Sequence, residues 1–112
     1  MAVFAVFDGH VDKNAAEKAV KVFPDVFFFF MFFLFKLSIL LSASQIFHET
    51  VQQLSLSNNI EQILHNSFLS TDDQLIEFEM EGTTATAVVI WKLGSNRYVQ
   101  SANVGDSTAF LW

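Results

Sequence analysis

Ten apolar residues run without interruption from Val26 to Phe35, and seven of the chain's 14 phenylalanines fall between Phe27 and Phe35. Lys36 interrupts, and Leu37-Ser38-Ile39-Leu40-Leu41-Ser42-Ala43-Ser44 follows. Three fates are open to such a stretch. A membrane-spanning helix needs about 20 apolar residues. Residues 26–43 approach that length, but Lys36 would sit near the bilayer centre at a cost of roughly 2.5–3.5 kcal/mol. A buried core helix is the second fate, although phenylalanine on every side is hard to pack and has weak helix propensity. The third is translated thymine-rich nucleotide sequence, such as a retained intron, because Phe, Leu, Ile and Ser are what such codons encode. The third is preferred, with residues 26–44 read as an insertion and Pro24 expected to end or kink the helix before it.

The rest of the chain reads as ordinary globular sequence. At 112 residues it is at most one domain. The formal net charge is −6, the six cationic residues are scattered, and cysteine is absent. Nucleic acid is therefore not an expected partner, and thiolate chemistry and disulfides are excluded. The amino terminus lacks the basic-then-apolar order of a signal peptide. An intracellular setting, cytoplasm or nucleus, is expected, with membrane association through residues 26–43 as the exception.

Val3-Phe4-Ala5-Val6-Phe7 reads as a strand buried on both faces. It runs straight into Asp8-Gly9-His10. A carboxylate held at the end of a rigid strand offers hard oxygen to Mg²⁺ or Mn²⁺, and a histidine beside it can move protons near neutral pH. Asp-Gly is equally a common turn, and a nearby histidine is often mere surface. Asp12 and Asn14 are candidate N-caps for a helix whose Ala15, Ala16, Ala19, Val20 and Phe23 share one face. Ile46, Phe47, Thr50, Val51 and Leu54 predict another helix, Ser57-Asn58-Asn59 a break, and Ile60, Ile63, Leu64, Phe68, Leu75 and Phe78 a further helix interrupted near residues 70–73. His48 and His65 lie on these helices as surface or boundary residues. After Glu81-Gly82, read as a breaker, residues 83–91 and 97–104 predict two strands joined by a polar turn. Gly105-Asp106 predicts a tight turn, and Ser107–Trp112 a third strand of an antiparallel meander. Strand, helices, then meander make an α+β domain with helices on a sheet.

Three segments carry a resemblance. Phe7-Asp8-Gly9-His10 with Ala15-Ala16, Gly82-Thr83-Thr84-Ala85, and Ala102-Asn103-Val104-Gly105-Asp106-Ser107 together resemble, in order and approximate spacing, motifs of the metal-dependent (PPM-type) protein phosphatase 2C family. The wording of residues 81–91 and 100–107 is nearest to its plant kinase-associated members. The resemblance covers residues 2–24 and about 45–112, and the phenylalanine tract has no counterpart in it.

What the resemblance implies is a partial antiparallel β-sandwich flanked by helices, truncated at both ends. The implied activity is Mg²⁺- or Mn²⁺-dependent hydrolysis of phosphoserine and phosphothreonine proteins, receptor-like kinases among them. Two ions sit in the complete family site. Asp8 matches the acid that bridges them, Gly9 the carbonyl that binds one, and Asp106 an acid linked to a third, weaker ion. A water made acidic by the ions attacks phosphorus, and His10 matches the general acid that protonates the leaving alcohol. Two departures stand out. Val11-Asp12 replaces a Gly-Gly pair, so the loop is not expected to take φ > 0 cheaply. The family's upstream phosphate-binding Arg and its later metal-ligating aspartates do not occur here, and divalent cations want about six oxygens each. A catalytically inactive binding fragment and a small membrane protein are the alternatives.

Overall fold

The computed structural model describes residues 1–42 and 49–111, with side chains described for all of these but 35, 37–42 and 49–58. The elements are β1 (Ala2–His10), α1 (Asn14–Ser42), α2 (Glu49–Asp73), β2 (Gly82–Leu93) and β3 (Asn96–Val104). The strands form one antiparallel sheet in the order β1-β2-β3. β2 and β3 lie where β-branched and aromatic residues predict them, and a two-residue turn at Gly94-Ser95 joins them.

Both helices pack on one face of this sheet. Strand alternation sends Ala85, Ala87, Val89 and Trp91 of β2 toward them, all buried. From α1 come Ala15, Ala19, Phe23 and Phe27, a line at i, i+4 spacing, and from α2 come Ile60, Ile63 and Leu64. Phe23 is the hub: its ring meets Phe7 of β1 edge-on with centroids 5.6 Å apart and stacks on Phe68 of α2 at 5.4 Å.

Five expectations need correction. β1 is buried on one face only: Val3 and Phe7 pack toward the core, while Phe4 and Val6 are 61% and 65% exposed on the other. The described residues form one sheet, whose outer face no described element covers, so both faces of β1 cannot be buried. Val20 also faces solvent, off the line of buried residues on α1.

Pro24 does not end α1, which continues to Ser42. The proline leaves the carbonyl of Val20 without its helical donor. Pro24 and Val20 both lie on the exposed side, where water can serve that carbonyl. Phe27 is fully buried, Phe30, Met31 and Leu34 are partly buried against the core, and Phe28, Phe29, Phe32 and Phe33 face outward. The first half of the tract thus packs as one apolar line of a core helix. Among the described residues no helix is long and apolar enough to cross a membrane.

Ser57-Asn58-Asn59 makes no break, and α2 runs through it to Asp73. Each polar residue costs a few tenths of a kcal/mol in helix propensity, whereas a break would orphan several backbone groups at two new ends. The helix predicted from Gln45 begins outside the described residues, as do Ile46, Phe47 and His48. Finally, residues 107–111 form no strand, and Phe110 and Leu111 are exposed. A tight turn alone does not provide the ladder of hydrogen bonds that a strand needs.

Candidate metal centre at the end of the sheet

β1 delivers Asp8, Gly9 and His10 to the end of the sheet, opposite Thr84, Thr83 and Gly82 of β2 in register. Alternation puts Asp8 and His10 on the outer, helix-free face and turns Gly9 toward α1. There the helix comes close: a Cβ on Gly9 would lie 3.1 Å from the Cβ of Ala16. Small residues on both sides allow the start of α1 to press against the end of β1.

The chain then reverses within three residues, between His10 on the strand and Asn14 on the helix. Val11 takes φ of 71°, the left-handed region, which a residue other than glycine is not expected to adopt cheaply. The closure is short, and its two ends are fixed by the β1–β2 ladder and by α1. A β-branched residue there carries backbone strain.

The start of α1 is held from a distance. Asn14 Nδ2 donates to Glu81 Oε1 at 3.1 Å, and the Ala15 N–H donates to Glu81 Oε2 at 3.2 Å. A carboxylate at a helix N-terminus satisfies an orphan donor and suits the helix dipole. Of the expected caps, Asp12 instead accepts the N–H of Lys13 at 2.6 Å, and Asn14 is the first helical residue. Glu81 immediately precedes Gly82, so this cap also fixes where β2 begins. Lys18 adds an ion pair to Glu77 and lies 5.6 Å from the centre of the Phe78 ring.

Gly105-Asp106 follows β3, whose last pairing is Val104 with Ala85. Gly105 has φ of 95°, open to glycine at no steric cost, and a Cβ there would meet Thr84 Cγ2 at 2.7 Å. The Ser107 and Thr84 hydroxyls are hydrogen-bonded at 2.8 Å. Thr84 therefore stands between Asp8, its neighbour in the ladder, and the turn that carries Asp106. The three sequence motifs meet at one end of one sheet.

Asp8, His10 and Asp106 are exposed. A hollow of about 430 Å³ lies beside Asp8, Gly9 and Asp12. A larger one, about 880 Å³, opens on the helix face between α2 and β3, lined by Phe68, Leu75 and Ala102, with His65 at its side. His65 is exposed, as expected. Asp8, Asp106 and the Gly9 carbonyl are hard oxygen donors of the type Mg²⁺ or Mn²⁺ takes. Among the described residues, however, no group of three or more His, Cys, Asp or Glu side chains could hold a metal ion. The donor type fits such ions, but the number does not suffice for two of them.

Glu81, Gly82, Thr84 and Ser107 have roles that sequence reasoning did not assign. Glu81 reads locally as part of a breaker, and nothing nearby reveals a partner 66 residues back in the chain. Gly82 and Thr84 fall inside a motif, but their contacts are across strands.

The family profile described as Protein phosphatase 2C matches residues 1–112. The chain belongs to the protein phosphatase 2C family. It is 37% identical over 117 residues to a "Probable protein phosphatase" of Dictyostelium discoideum, covering 99% of this chain and 10% of that protein. A second so named from that organism is 35% identical over 119 residues, covering 99% of this chain and 11% of its own. "Protein phosphatase 2C 70" of Arabidopsis thaliana is 32% identical over 110 residues, covering 97% of this chain and 16% of its own. This protein phosphatase 2C chain thus spans between a tenth and a sixth of the length of the curated relatives it matches. No solved structure matches it.

Proposed function

We propose that this chain forms one side of the active centre of a Mg²⁺- or Mn²⁺-dependent protein serine/threonine phosphatase. Asp8, the Gly9 carbonyl and Asp106 would contribute ligands, and His10 would act as the proton donor. The observation that carries the reading is the meeting of Asp8, His10 and the Gly105-Asp106 turn around Thr84. Bound ions would supply the positive charge that acidifies an attacking water and offsets the phosphate.

The chain's own residues do the rest. Asp8, on a strand that the Thr84 ladder holds, fixes an oxygen donor without a flexible loop. His10, two residues on and on the same face, would hand a proton to a departing serine or threonine alkoxide. The remaining oxygens, the phosphate-binding cation and the second sheet of a sandwich would come from a longer protein of the kind its relatives represent. Intracellular phosphoproteins are the proposed substrates, receptor-like kinases among them.

Because the donors here are too few for two ions, Mn²⁺ binding is the first readout. The electron paramagnetic resonance signal of free Mn²⁺ is expected to fall when the chain is added, and Asp8→Ala to weaken that binding by at least about tenfold, since even the outer partners of metal ligands are worth about 10–100-fold. Hydrolysis of a phosphothreonine peptide, where it occurs, is expected to need Mn²⁺ and to vanish in the same variant. Equal Mn²⁺ uptake by the chain and by Asp8→Ala would overturn the assignment.

A further inference from the structure

Gly82 is a glycine without a backbone reason. Its φ is not among the positive values, which among the described glycines belong to Gly94 and Gly105. It opens β2, where alanine would serve the ladder better, since glycine gives up more freedom on ordering. What requires it is space. Gly82 is the ladder partner of His10, and a Cβ built on it would overlap the edge of the imidazole at Nε2 and Cε1. No other kind of atom is crowded there: the three nearest atoms are all in that ring. The Nε2–Cε1 edge of the imidazole occupies the space over the bare α-carbon of its cross-strand neighbour, a close approach that a strand glycine permits.

We propose that Gly82 is a positioning residue for His10. Its missing side chain is the seat in which the imidazole rests on the outer face, two residues from Asp8. The proposal builds on the reading of His10 as proton donor. Its steric content is independent of metal. A side chain at residue 82 displaces the far end of a flexible side chain, so the fold absorbs the change while the ring leaves its place. Gly105 is the opposite case, because there the added atom meets Thr84 close to the backbone and φ is 95°. Glu81 completes the device: by capping α1 it fixes the residue just before the seat.

The test is a double-mutant cycle read by imidazole NMR on the full chain, with the His10 signal assigned through His10→Gln. Gly82→Ala is expected to move the His10 carbon–proton signal by more than its linewidth and to leave that of His65 in place. Its change in melting temperature is expected to disappear when His10→Ala is already present. A stationary His10 signal, or an equal loss of melting temperature in both backgrounds, would overturn the proposal. Should Gly82→Ala fail to fold, the double variant decides: folding like His10→Ala supports the seat, and failure to fold refutes it. Mn²⁺ broadening of the His10 signal is measured alongside. Its absence in the unaltered chain counts against the metal-centre reading and leaves the seat to be judged by the cycle.

Discussion

Val11 is the residue at which family pattern and chemistry pull apart. A β-branched side chain sits at φ of 71°, where the fold demands a glycine-like backbone. Val11→Gly is expected to raise stability by about 1 kcal/mol, the relief of left-handed strain less the added freedom of the unfolded chain. A lower urea midpoint in that variant would contradict the strain. Glu81 presents the converse case, a residue whose worth is invisible along the chain. Glu81→Ala removes both acceptors at the start of α1 and is expected to cost about 1 kcal/mol, as lost caps do. Glu81→Gln, which keeps one acceptor, should recover part of it. The place of Asp8 and His10 at the end of β1 was legible because they follow an apolar run. The neighbours that seat them, Gly82 and Thr84, lie more than 70 residues away and could not be assigned from local pattern.

At the scale of elements, α1 is where expectation and structure part most. Sequence rules place an end or a kink at Pro24, yet one helix carries Ala15, Ala19, Phe23 and Phe27 into one core. The reason is economy of packing: a proline on the solvent side loses one backbone hydrogen bond, while stopping there would strip Phe27 from the core. Phe27→Ala is expected to destabilise the chain by about 3–5 kcal/mol, and Phe29→Ala, whose ring is 66% exposed, by under about 0.5 kcal/mol. Equal effects in chemical denaturation would mean that the tract is not part of the core. β2 and β3 were readable because their periodicity is local and their turn is short. The segment after Gly105 forms no strand because a turn sets up a returning chain but does not supply its ladder of hydrogen bonds.

For the whole molecule, the uneven faces of the sheet matter most. Among the described residues the helices cover one, and the other presents Phe4, Val6, Ile90 and Val99 to solvent, with β1 and β3 as edges that no described strand pairs. Open edges and an uncovered apolar face favour association. The isolated chain is expected to self-associate at micromolar concentration, and Phe4→Lys to reduce it. A sedimentation profile that stays monomeric for the unaltered chain would refute this.

The three strands that form, most of the buried line of α1 and the three motifs are legible in the sequence alone, because each depends on neighbours within a few residues. That those motifs meet around Thr84, that His10 rests on Gly82, and that α1 passes Pro24 were decided only in three dimensions. These depend on strand register and on contacts between residues far apart in the chain, whose free energy no local pattern carries.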